Sequence, residues 1–245
     1  MKKLSLLLVF AMLVCMLASC SATPESLDEK ATKVLESEPY EMTLTFNFES
    51  GNNDMNSAFQ EMEDMLTMSM IINGEEFAYE MYGMKMVYVD DTYYVDYGDD
   101  LKYKAEITED IKEDFLKENN PAAESDMDLG YADFVTVTME KVDGKYVVTC
   151  SEIKEESLDT LSELASDLGF AGASVEISNV EFVIVYANNK CESGTLSCDY
   201  QISMSGISIS FSMIAEYEIN YDIDAPAAPA DASTYEEIDA SDLLE

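Results

Sequence analysis

The sequence predicts an α+β domain built on a single curved antiparallel sheet of about eight to ten strands, with two or three helices on its concave face. Three observations carry this. First, every odd position from Ile207 to Tyr221 is apolar or aromatic, while the even positions, Ile214 excepted, are Ser, Glu or Asn. Such alternation marks a strand with one face against apolar material and one toward water. Ordinary strands run about 5 to 6 residues. One roughly three times longer cannot lie in a flat layer, because sheets twist and coil. Second, short alternating runs are separated by turn dipeptides, Asn73-Gly74, Asp90-Asp91 and Asp143-Gly144, which join antiparallel neighbours. Third, segments with helical spacing break the strand series before residue 38, within 106–118 and after residue 154.

Taken in order, residues 1–19 read as a secretory signal. Lys2 and Lys3 precede an apolar run from Leu4 to about Ala18, short of the roughly 20 residues that a spanning helix needs. The run ends in Leu17-Ala18-Ser19-Cys20, which resembles the bacterial lipobox. That resemblance implies that Cys20 becomes the first mature residue and carries a diacylglycerol on its thiol, the strongest side-chain nucleophile near neutral pH. Two or more acyl chains anchor a protein stably where one would not. The chain is therefore expected at the cell membrane, lipid-anchored on the extracytoplasmic face.

Residues 20–38 are a tether followed by a helix. Leu27, Ala31, Val34 and Leu35 share one stripe, with Ser26 as the expected cap and Glu29 three residues on. Residues 39–224 form the β-rich domain. Its first strand alternates through Met42, Leu44, Phe46 and Phe48, and residues 50–64 read as a loop or a short amphipathic helix. A meander follows, with Leu66, Met68, Met70 and Ile72, then Phe77, Tyr79 and Met81, then Met84, Met86 and Tyr88, and then a Tyr-rich strand after Asp91. Residues 106–118 are expected to be helical, with Ile107, Ile111 and Phe115 inward. A hairpin turns at Asp143-Gly144, and the segment after it carries Leu158, Leu161, Leu164, Ala165 and Leu168 on one helical stripe. Val180 to Tyr186 is apolar on both faces, which predicts cover on both sides. A turn at Glu192-Ser193-Gly194 then leads into the last two strands. Residues 225–245 are an acidic, Pro/Ala-rich tail, with Tyr235 and Ile238 available to pack back.

Composition excludes several chemistries. The chain has 13 Lys, no Arg, no His and 51 acidic residues, for a net charge of −38. So acidic a surface repels nucleic acid. Without His the commonest general base and metal ligand are missing, and without Arg there is no bidentate phosphate clamp. No nucleophile elbow, phosphate loop, C-x-x-C pair or calcium loop occurs. No catalytic residue, metal site or cofactor is assigned, and an enzyme is not expected. Among 51 acids, two that fall close together carry almost no information.

The lipobox, the amphipathic helix, the paired Tyr strands of "MKMVYVDDTYYVDY", the helical break and the long terminal hairpin together resemble the LolA/LppX-like lipoproteins and lipoprotein carriers. The resemblance spans roughly residues 25–224. It implies a half-barrel sheet whose helices enclose an apolar cavity for acyl chains. The arginine that gates the carrier's cavity has no counterpart here, so transfer of lipoproteins is not implied. Nine of the 16 Met fall between Met42 and Met86, and Met adapts to varied apolar partners. The expected cavity lining is Leu44, Phe46, Met68, Met70, Tyr79, Met86, Phe211, Met213 and Tyr217.

Two functions follow as expectations. One is binding of a lipophilic or amphiphilic ligand under the sheet. The other is a non-enzymatic interaction or sensor module with a filled core, whose protein partner the sequence does not name. Three cysteines besides Cys20 remain after the signal. Cys191 and Cys198 flank the expected turn at 192–194; paired opposite each other, they would set Val185 against Met204 and Ala187 against Ile202. A Cys191–Cys198 disulfide is the pairing this register permits.

Overall fold

The computed structural model describes residues 22–61, 66–81, 83–98, 101–120, 130–158, 174–204 and 207–240. Helix α1 (Pro24–Leu35) starts at a capping box in which Thr23, not Ser26, is the N-cap; Ser26 is the reciprocating third residue, and Pro24 opens the first turn. Leu27 and Ala31, one turn apart, are its buried residues. Strand β1 (Tyr40–Glu49) and helix α2 (Asn53–Glu61) follow. The meander comprises β2 (Thr67–Asn73), β3 (Glu76–Met81), β4 (Met84–Val89), β5 (Thr92–Asp96) and β6 (Lys102–Glu106). Helix α3 (Lys112–Asn119), β7 (Phe134–Val142) and β8 (Lys145–Ile153) come next. A helical turn occupies 155–158, and the remainder of that expected helix, with Leu161, Leu164, Ala165 and Leu168, lies outside the described residues. The long strands β9 (Ser174–Ala187), β10 (Lys190–Met204) and β11 (Ile207–Asn220) precede a two-residue β12 (Glu236–Glu237).

All twelve strands form one open sheet, ordered β12-β6-β5-β4-β3-β2-β1-β11-β10-β9-β8-β7. The fold is α+β, as expected. The strand count exceeds the expected eight to ten, and the sheet is mixed, because β12 runs parallel to β6 while the other pairs are antiparallel. The source of β12 is the tail. Tyr235 is buried against Tyr94 with ring centroids 5.5 Å apart, Lys102 bridges Asp231 at 2.8 Å, and the Ile238 N–H donates to the Lys104 carbonyl at 3.0 Å. The tail thereby covers an edge that would otherwise present unpaired backbone groups.

Register places most of the large apolar side chains on one face. Across β1 and β11, Met42 meets Ile219, Leu44 meets Tyr217, Phe46 meets Ala215 and Phe48 meets Met213. Ser208 and Ser210 lie on the opposite, exposed face. The apolar face carries two packed regions. Over β1–β6, α3 sets Phe115 against Phe77, Tyr88 and Tyr93, with Met70, Met86, Val95 and Ala105 buried around them. Over β7–β10, α1 sets Leu27 and Ala31 against Val148, Cys150, Ile184 and Tyr186. Ile219 packs against both, so the face is continuous.

The structure corrects three expectations, two of them about the long strands. The turn between β9 and β10 is Asn188-Asn189, both at positive φ (53° and 64°), and not Glu192-Ser193-Gly194, which lies inside β10. Asn tolerates the left-handed region that such a hairpin turn requires. Second, Val180 to Tyr186 is not buried on both faces. Asn179 takes φ 53° at a register shift opposite Cys198, which switches the inward positions from Val175 and Ile177 to Val180, Ile184 and Tyr186. Third, Ile107 is buried but precedes α3 instead of belonging to it; its N–H donates to the Asp91 carbonyl at 2.8 Å.

Candidate functional site

The site follows from how α1 crosses the sheet. Its capping box holds the first turn, and Leu27 and Ala31 sit down on the β8–β10 region. Toward β1 and β11 the packing is incomplete, and a cavity of about 320 Å³ remains. Asp28, Ala31, Thr32 and Leu35 of α1 form one wall; Phe182, Ile184 and Tyr186 of β9, Cys191 of β10, Tyr217 and Ile219 of β11 and Met42 of β1 form the floor. Gly130, Tyr131 and Phe134, at the entry to β7, close one end. The volume is at the lower end of the roughly 300–1,000 Å³ of small-molecule sites.

Most of this lining is apolar, but one pole is polar. The Tyr186 hydroxyl donates to Asp28 Oδ1 at 3.0 Å. Its single proton is thereby committed, so the 2.7 Å contact between the Tyr131 and Tyr186 hydroxyls has Tyr131 donating. Tyr217 Oη lies 3.6 Å from Cys191 Sγ, and the Tyr221 hydroxyl donates to the Cys191 carbonyl at 2.9 Å. Burial pushes the Tyr131 hydroxyl up to about 12 and raises Tyr186, Tyr217 and the Cys191 thiol above their usual values. All four stay protonated near neutral pH, and Asp28 is the one acidic side chain among the described residues that line the cavity.

Gly194 sets the position of Tyr217. It lies in mid-strand, paired with Tyr217 on β11 and Ile184 on β9. A Cβ added there would come within 2.4 Å of the Tyr217 ring. The ring thus lies flat across the space that the missing side chain leaves, a close approach of the kind that glycine in a strand marks.

Of the residues expected to line a cavity, Tyr217 does. Met70 and Met86 are buried in the β1–β6 packing, and Tyr79 stacks on Phe77 there with centroids 6.0 Å apart. Leu44 and Met68 pair with each other on the half-buried part of the same face. Phe46 borders a separate open cleft of about 220 Å³ between β1 and α2, with Phe48, Phe59 and Leu66. Phe211 belongs to an aromatic group at the far end of the sheet, stacked on Tyr200 at 5.3 Å and near Phe48 and Phe59. Met213 pairs with Cys198 and Phe48 and packs against the β7–β10 region. The Met-rich half of the sheet is therefore filled where the sequence suggested a cavity, and the space lies on the other side of β1. Asp28, Tyr131, Tyr186 and Gly194 were not foreseen. Gly194, read from the sequence as part of a turn, is the mid-strand glycine that makes room for the Tyr217 ring.

The Cys191–Cys198 disulfide is overturned. Both residues belong to β10 and project from one continuous strand, roughly 20 Å apart along it, far beyond disulfide reach. Cys150, Cys191 and Cys198 are free and buried. Cys20 lies outside the described residues. Among the described residues, no group of three or more His, Cys, Asp or Glu side chains is placed to hold a metal ion, and no helix is long and apolar enough to cross a membrane. No protein-family model matches the chain, and no curated protein is significantly similar to it.

Proposed function

We propose that this protein is a lipid-anchored extracytoplasmic lipoprotein of LolA-like fold that binds an amphiphilic ligand between α1 and the sheet. The observation that carries the reading is the cavity of about 320 Å³, apolar along most of its wall and polar at one pole. A buried apolar wall rewards a ligand at about 0.8 kcal/mol per methylene, and a small set of polar groups at one end fixes its orientation. The sheet with one apolar face and helices laid on that face supports the LolA-like reading. The anchor rests on the lysine-flanked apolar run and Leu17-Ala18-Ser19-Cys20. The protein acts by binding and carries out no catalysis in this reading, and its surroundings are the membrane and its ligand.

A second reading, an interaction module with a filled core, has the close packing of Phe77, Tyr88, Tyr93 and Phe115 in its favour. Mass spectrometry of the protein isolated from its own membranes separates the two. Binding predicts one small amphiphile that is held under native conditions and released on unfolding, together with a diacylglycerol-modified Cys20 at the mature N-terminus. A bare polypeptide under native conditions favours the module, and an unmodified N-terminus removes the anchor.

A further inference from the structure

The polar pole of the cavity carries a statement about ligand chemistry, which rests on the reading that the cavity is a ligand site. We propose that it selects amphiphiles whose head is a protonated amine and discriminates against carboxylates of the same chain length. The hydrogen-bond chain runs from Tyr131 through Tyr186 to Asp28. Every proton in it points toward the carboxylate. What remains on offer to a ligand is acceptor capacity: the second carboxylate oxygen of Asp28 and the lone pairs of the Tyr131 hydroxyl. An ammonium head, with three donors and a charge opposite to that of Asp28, satisfies such a pole. A carboxylate head would bring like charge and acceptors against acceptors.

No basic residue offsets this. None of the described residues lining the cavity is Lys, and the sequence has no Arg or His anywhere and no Lys within 121–129 or 159–173. The remainder of the wall, with Leu35, Phe182, Ile184 and Ile219, takes the apolar body. A water's share of liquid volume is about 30 Å³, so the space holds roughly ten groups of that size. One short chain or a single ring system fits within it.

The test is a calorimetric titration of the wild-type protein and Asp28→Asn with octylamine, 1-octanol and octanoate at pH 7 and physiological salt, which screens the general attraction of an acidic protein for cations. Asp28 is solvent-exposed although it borders the cavity, and an asparagine keeps an oxygen that can accept from Tyr186, so the substitution leaves the packed regions intact. The expected result is octylamine about tenfold tighter than 1-octanol, because the ammonium adds a full opposite charge and two further donors to the one O–H···O⁻ bond the alcohol can make, with octanoate weakest. In Asp28→Asn, octylamine should lose its advantage and fall by a clearly larger factor than 1-octanol, which gives up one bond to a charged acceptor and keeps its apolar contacts. Octanoate equal to or tighter than octylamine overturns the proposal, as does an amine preference that survives Asp28→Asn; both leave the cavity a binding site. Failure of all three compounds to bind the wild type overturns the binding reading and this proposal with it.

Discussion

Gly194→Val should cost the cavity most of its affinity while the sheet stays folded. Valine suits a strand, and the β10 backbone need not change to accept it. Its side chain, however, starts 2.4 Å from Cε1 and Cζ of Tyr217. Those are ring atoms at the far end of a side chain, so the ring swings away and the strand stays in place. The open space beside it is the cavity that Tyr217 already borders. A ligand must then push the ring back against overpacking of about 1–3 kcal/mol, which corresponds to an affinity loss of about 5- to 150-fold. Titration with 1-octanol, beside circular dichroism to confirm the fold, measures it. Affinity equal to wild type in a folded Gly194→Val protein would show that Tyr217 has no part in the site.

The largest stability effect is expected at Phe115. This is the buried residue of the eight-residue α3, and its ring lies 5.0 Å from those of Tyr88 and Tyr93 and 6.3 Å from that of Phe77. A helix this short has little stability of its own, so its attachment depends on its packing, in which Phe115 is the buried side chain and Ile111 and Leu116 are only half-buried. Phe115→Ala removes the ring and leaves a cavity that three other aromatic rings cannot easily collapse around. The expected loss is about 3–5 kcal/mol, a large part of the roughly 5–15 kcal/mol that holds an ordinary domain together. Urea unfolding reads it directly. Leu101→Ala, at a position 52% exposed, should change stability by less than about 0.5 kcal/mol. A loss below about 1 kcal/mol at Phe115 would mean that α3 is not anchored as described.

What could be read from the sequence was whatever depends on neighbours in the chain. Alternation along β1, β2, β3 and β11 assigned their inward faces correctly, and the registers match: Leu44 meets Met68 on one side and Tyr217 on the other. Turns built on Gly or Asp, at Gly74, Asp90-Asp91 and Asp143-Gly144, stand where their positive-φ residues put them. Readings failed where one residue changes the parity of a strand. Asn179 does this in β9, and the skipped Glu192 does it in β10. With the hairpin turn taken at 192–194 and not at Asn188-Asn189, Cys191 and Cys198 were set on facing strands, although they share one.

The site was harder to see for a different reason. Its polar pole draws Asp28 from α1, Tyr131 from a turn before β7, Tyr186 from β9 and Tyr217 from β11. Singly, each is an ordinary residue for its element. Only the long-range pairing of β11 with β1 and the crossing of α1 bring them together. Methionine enrichment pointed to the wrong half because the same flexibility that suits a ligand surface also suits filling a core, and around Phe77 and Phe115 it fills one.

Ala31 gives the most direct test of the binding account. Its side chain is 2% exposed and faces the cavity from α1. In Ala31→Phe, the ring occupies the space that a ligand's body would take. The measurement is a calorimetric titration of 1-octanol into wild type and Ala31→Phe at two temperatures. The account predicts a single saturable site in the wild type, with the negative heat-capacity change of apolar burial, and no saturable binding in a folded Ala31→Phe protein. Absence of binding to the wild type, or equal binding to both proteins, would contradict it.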